Sequence, residues 1–163
     1  MSFRMRPEVD EWFKHIFKQG PIQTKFDLYY FCLMMGLAAG KSESVPSAVE
    51  FVQNFVGDYK GVQRLVLGVL IIAEMSRLGL ELNDRKEVQD LIAKYLDATD
   101  VTHLSVAGFE RLNEYSHGGF NIIVESAGSK PYHVEPFLQL YVKELRKRID
   151  DSKSWDAFKS SIQ

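Results

Sequence analysis

Two stretches of this chain, Phe26 to Leu37 and Val62 to Met75, carry apolar side chains around most of a helix rather than along one stripe. A helix of that kind has no face to offer water, so other elements must surround it. Two such helices require a bundle in which amphipathic helices form the outer layer.

The outer layer is readable as well. Pro7 opens a helix whose Val9, Trp12, Phe13, Ile16 and Phe17 fall at i, i+3, i+4, i+7 and i+8, up to the stop at Gly20-Pro21. The second helix is expected over Gln23 to Ala39 and a third over Pro46 to Val56, with Val49, Val52, Phe55 and Val56 inward. A fourth spans Tyr59 to Leu78, and Asn83 caps a fifth over Asp84 to Leu96. Ser105 caps a sixth, which His117-Gly118-Gly119 is expected to break as a tight turn. Phe120 to Glu125 suits further helical turns or a short strand equally. A long helix follows over Val134 to Asp150, and a short one holds Trp155, Phe158 and Ile162. The expected fold is all-α: one irregular helical domain over 1–163 with about seven to nine helices. Residues 1–6 are an extended arm, and 152–163 a docking helix.

Composition narrows function by exclusion. The 163 residues have a formal net charge of −2, without the basic excess of a free-standing DNA-binding domain. The lone cysteine, Cys32, rules out internal disulfides and a four-cysteine zinc site, and it sits in an apolar run. His15, His103, His117 and His133 lack metal-ligand spacing. There is no GxSxG, P-loop or GxGxxG. Glu74 lies in an apolar helix three residues before Arg77, which reads as a helical ion pair rather than a catalytic carboxylate. An enzymatic reading would need Glu74 joined to a histidine and to Tyr95 or Tyr115. The expectation is therefore a non-enzymatic protein with no metal and no cofactor. No apolar core follows the charged N-terminus and the longest apolar run is interrupted, so the chain reads as cytoplasmic, with no membrane partner.

Binding surfaces remain. Phe3 and Met5 on the arm, and Trp155, Phe158 and Ile162 at i, i+3 and i+7, either fold back or dock on another subunit. Lys143, Arg146, Lys147 and Arg148 give one helix edge a basic character, suited to solvent or to phosphate or acidic-partner contact. Lys14, Lys18 or Lys25 would have to share that surface in a DNA-binding regulator.

The runs Arg6-Pro7-Glu8, Phe13 to Pro21, and Thr24-Lys25-Phe26-Asp27-Leu28-Tyr29-Tyr30-Phe31-Cys32-Leu33-Met34-Met35-Gly36-Leu37-Ala38 resemble a class of small helical proteins. These are encoded beside bacterial DNA-defence genes, including those associated with DNA phosphorothioation. Leu104-Ser105, then Leu112 to Phe120, and Phe137-Leu138 fit the same class, and together the runs cover about a third of the chain. The resemblance implies a non-catalytic subunit of an anti-phage complex, with an ATPase or nuclease as protein partners and DNA reached through the complex. Small third components of Lamassu-like systems, which bridge an SMC-type ATPase and an effector nuclease, are similar in size and role. It implies no functional residues.

Overall fold

The computed structural model describes residues 1–152 and 156. The chain runs β1 (Phe3–Met5), α1 (Pro7–Phe13), α2 (Lys25–Ala39), β2 (Val49–Val52), α3 (Tyr59–Arg77), α4 (Arg85–Tyr95), α5 (Val106–Ala127) and α6 (Val134–Asp151). The described residues thus form a predominantly helical fold with six helices and a two-stranded antiparallel sheet, rather than an all-α bundle of seven to nine helices. The segment holding Trp155, Phe158 and Ile162 lies outside the described residues.

α2 is the central helix. Thr24 and Asp27 form a capping box at its start, and Gly40, at φ 63°, ends it in the left-handed conformation. The Tyr59 hydroxyl donates to Asp27 Oδ1, which fastens the start of α3 to the start of α2. Phe26, Leu28, Tyr29, Cys32, Leu33, Met35 and Leu37 are all buried, as an all-round apolar helix requires.

The expected helix over Pro46 to Val56 is absent. Its Val49–Val52 segment is instead β2, paired with β1 so that Met5 lies opposite Val49 and Phe3 opposite Val52. Val-Glu-Phe-Val is a strand-forming composition, but its partner is more than forty residues upstream, so no local pattern revealed the pairing. Val49, expected inside, is 60% exposed.

Phe3 and Met5, for which the sequence left folding back or docking open, fold back and are buried in the chain's own core. The Phe3 ring stands edge-on to Phe26, Tyr29, Phe55 and Phe109, with centroids 5.0–5.4 Å away. Asn113, on α5, locks the arm in place. Its Oδ1 accepts from the Arg4 backbone N–H at 3.0 Å and from the Tyr29 hydroxyl at 2.9 Å, while its Nδ2 donates to the Ser2 carbonyl at 3.0 Å.

His117-Gly118-Gly119 does not end a helix. It lies inside the 22-residue α5, which runs unbroken against α2. A Cβ on Gly119 would stand 1.7 Å from the Cys32 carbonyl oxygen, and one on Gly36 would stand 1.8 Å from the Tyr115 carbonyl oxygen. The two backbones touch, and only hydrogen fits between them. Each mid-helix glycine costs about 1 kcal/mol relative to alanine, and close packing of the two longest buried surfaces offsets that.

Gly119→Ala is expected to destabilise the fold by about 3 kcal/mol or more, because both obstructing atoms are backbone. Urea unfolding followed by circular dichroism measures this. A loss below 1 kcal/mol would mean that α2 and α5 separate easily.

Candidate functional site

Three polar arrangements stand out: a carboxylate inside the helical core, a guanidinium cluster at the arm, and the outer edge of α6.

Glu74 is fully buried on α3. The α3 register that places Val66, Leu70 and Ala73 inward also turns Glu74 inward. Arg77, one turn on, donates from Nε and Nη2, the shortest contact being 2.8 Å to Oε2. Arg111 on α5 donates from Nε to Oε1 at 2.7 Å. The Tyr115 hydroxyl reaches Oε1 at 2.6 Å, and that of Tyr95, from α4, reaches Oε2 at 2.8 Å. Arg111 also donates to Glu114 at 2.6 Å, so two cations face two carboxylates.

Burial pushes the Glu74 pKa up, but the hydrogen bonds from Arg77, Tyr115, Arg111 and Tyr95 outweigh it and hold the group at about 2. Such a carboxylate stays ionised at neutral pH and each oxygen already accepts three donor contacts, counting both from Arg77 Nε. It has neither a proton to give nor a free lone pair for a substrate. The expected Glu74–Arg77 pair is present, and Tyr95 and Tyr115 do join it. No histidine hydrogen-bonds to Glu74 among the described residues. Arg111 went unread in the sequence; its signal was its place one helical turn before Tyr115.

The second arrangement gathers around Arg6. Its Nη1 donates to Asn121 Oδ1 at 2.6 Å and lies 3.5 Å from Glu43, while Nη2 lies 3.6 Å from Glu8. The guanidinium lies 5.2 Å from the centre of the Phe120 ring, and its Nε is buried without a partner. His117 is buried beside this cluster. Burial and then the Arg6 charge lower its pKa to about 4, so it is neutral at physiological pH.

The remaining histidines do not converge. His15 stacks on Tyr132 with centroids 4.3 Å apart, His103 turns a loop at φ 57°, and His133 precedes α6. No group of three potential metal ligands occurs among the described residues. Cys32 is buried, and burial raises its thiol far above the ordinary range.

The third arrangement is on the surface. Along α6, Leu138, Gln139, Val142, Lys143, Arg146, Lys147, Asp150 and Asp151 share one shallow, open face. Phe137 and Tyr141 hold the opposite face of α6 against Phe31 of α2, and the Tyr141 hydroxyl donates to the Phe31 carbonyl at 2.8 Å. That anchorage turns Lys143, Arg146 and Lys147 outward, all three exposed, whereas Arg148 pairs with Glu144 at 2.9 Å. Three of the four expected basic residues therefore lie together on that face. α1 ends at Phe13, short of the expected stop at Gly20-Pro21, so Lys14 and Lys18 lie beyond it, and the three lysines are engaged elsewhere: Lys14 with Glu11, Lys25 with Asp10, and Lys18 with the Gln23 carbonyl.

Comparison with known protein families, curated proteins and solved structures found no match to this chain. No helix among the described residues is long and apolar enough to cross a membrane.

Two outcomes test the buried networks. Glu74→Gln turns one acceptor oxygen into a donor facing arginine and tyrosine donors, so a stability loss of about 3–5 kcal/mol is expected. Chemical unfolding would show it, and a loss under 1 kcal/mol would mean the network contributes little. Acid sensitivity is expected in two stages. Between pH 6.5 and about 4 the unfolded chain takes up a proton at residue 117 that the folded chain refuses, so stability falls as pH drops through that window. Glu74 adds a second loss as pH falls from 4.5 toward 2, where the folded carboxylate is still ionised and the unfolded one is not. His117→Gln should flatten the first stage and leave the second, as read from melting temperature against pH.

Proposed function

We propose that this chain is a non-catalytic adaptor subunit of a bacterial anti-phage complex, bridging an ATPase, SMC-like in type, and an effector nuclease, in the cytoplasm. The observation that carries the binding reading is the α6 edge: an apolar floor of Leu138 and Val142 beside the exposed cations Lys143, Arg146 and Lys147. Apolar contact supplies affinity there, and the cations select an acidic segment of a partner protein. The buried polar groups support the same reading, since Glu74 and Asn113 are fully engaged in holding helices and the arm together. The resemblance of the Thr24–Ala38 and Leu112–Phe120 runs to small defence-encoded proteins supplies the biological setting.

A second reading rests on the same cations: a DNA-binding regulator using the basic helix edge. Phosphate contact through three or four cations would give a steep fall in affinity with salt.

The triple variant Lys143→Glu, Arg146→Glu, Lys147→Glu separates these readings. Co-purification with the products of neighbouring ATPase and nuclease genes is expected to drop at least tenfold, with the melting temperature unchanged because the three side chains are exposed. Undiminished co-purification would remove α6 as the contact. Tight, salt-sensitive binding of duplex DNA by the isolated wild-type chain would favour the regulator.

A further inference from the structure

The helices differ in how their two ends are fastened, and α4 is the extreme case. Its inward stripe is Val88, Leu91 and Tyr95, and its other eight residues are exposed. The C-terminal end is locked. The Ser105 backbone N–H donates to the Tyr95 carbonyl at 3.0 Å, and the Ser105 hydroxyl donates to the Lys94 carbonyl at 2.6 Å. The same hydroxyl caps α5 by accepting from the Gly108 N–H, and a Cβ on Gly108 would stand 2.1 Å from the Tyr95 carbonyl oxygen. Leu96 bridges to the fully buried Leu104, and the Tyr95 hydroxyl reaches Glu74.

The other end has no such fastening. Among the described residues, no hydrogen bond or ion pair joins residues 81–92 to another element: Glu81 bonds to Asp84 and Lys86 to Asp90, all within the segment. The Asp84 side chain caps no α4 amide. Gly79, at φ 67°, and the Leu80 N–H on the Met75 carbonyl close α3 before the segment starts. Val88, partly buried, and Leu91, buried, are its apolar attachments. α6, also largely exposed, is held differently: mid-helix Tyr141 bonds to the Phe31 carbonyl, and Phe137 packs on Phe13 and Phe31.

We propose that α4 is a hinged flap: residues 81–92 come away from the body and melt as one unit, pivoting at the Tyr95–Ser105 lock, while α2, α3, α5 and the sheet stay folded. An 11-residue helix is too short to persist alone in water, so release and melting are one event. Few buried apolar contacts and solvent-exposed backbone hydrogen bonds place a segment at the low-stability end of a fold. Tyr95 sits at the pivot, so the Glu74 network survives the opening. Leu82, 61% exposed, Leu78, 48% exposed, and Ile92, 40% exposed, already flank the flap. Opening adds Val88 and Leu91 to them, so this end of the molecule gains apolar surface while the core keeps its packing.

Hydrogen exchange of the full chain, resolved amide by amide across a urea series below the unfolding transition, tests this. Residues 88–92 should exchange about a hundredfold faster than the buried amides of α2 and α5, through one shared opening. Their urea dependence should be measurable but shallower than that of α2 and α5, because the flap exposes less surface than global unfolding does. The Ser105 amide, bonded to Tyr95, should exchange with the core. Leu91→Ala should speed exchange of residues 88–92 by about tenfold or more, and the wild-type series decides the matter if that variant does not fold. Exchange of residues 88–92 with the free energy and urea slope of α2 and α5 would overturn the proposal. So would exchange with no urea dependence, loss of Ser105 protection together with the flap, or an unaltered rate in folded Leu91→Ala.

Discussion

The contact on which this fold depends is the backbone meeting of α2 and α5. With Gly36 and Gly119 in the seam, carbonyl oxygens of one helix stand where a side chain of the other would begin. Such proximity buries α5 along most of its length, together with polar residues that an amphipathic helix would have turned to water. Asn113, Ser116 and His117 are all buried as a result. Buried polar groups must find partners, and the search for those partners organises the rest of the molecule. Asn113 finds the Ser2 carbonyl and the Arg4 amide, and so the N-terminal arm becomes a strand over the core instead of a free tail.

Glu74 shows the same logic with charge. A carboxylate inside a helical core is tolerated only when its oxygens are saturated. Here the saturation comes from three helices, with Arg77 on α3, Tyr95 on α4 and Arg111 and Tyr115 on α5. α4 is otherwise mostly exposed, and its Leu91 and Tyr95 are its buried anchors. The network is thus what ties a peripheral helix to the centre. Exposed pairs such as Lys86–Asp90 contribute far less, since water already solvates both partners.

The surfaces left over are of two kinds. The α6 edge is apolar and basic, held outward by Phe137 and Tyr141 packing beneath it. The outer face of α3 carries exposed Leu65 and Arg64 between Gly61 and Gly68, whose Cβ positions are open. Each helix presents its outer face because its opposite face is fixed in the core.

Much of this was written locally. Helical period and turn residues located α2, α3, α4 and α6 to within a residue or two, because an apolar face recurring every 3.6 residues is a property of neighbouring residues. The Glu74–Arg77 pair was legible for the same reason, as one helical turn separates the two. What the sequence could not disclose were relations between distant segments. Val49–Val52 became a strand only because Phe3–Met5 lay beside it. Gly118-Gly119 reads as a stop in isolation and is a packing surface once Cys32 stands against it. Phe3 and Met5 look like a tether until Asn113 and four aromatic rings close over them. Arg111 joined Glu74 from 37 residues away. Sequence by itself determined the extent of four of the helices and that α2 must be buried on nearly every side. Tertiary structure decided which helix touches which, since only a folded chain brings a carbonyl to a glycine or an arginine to a buried carboxylate.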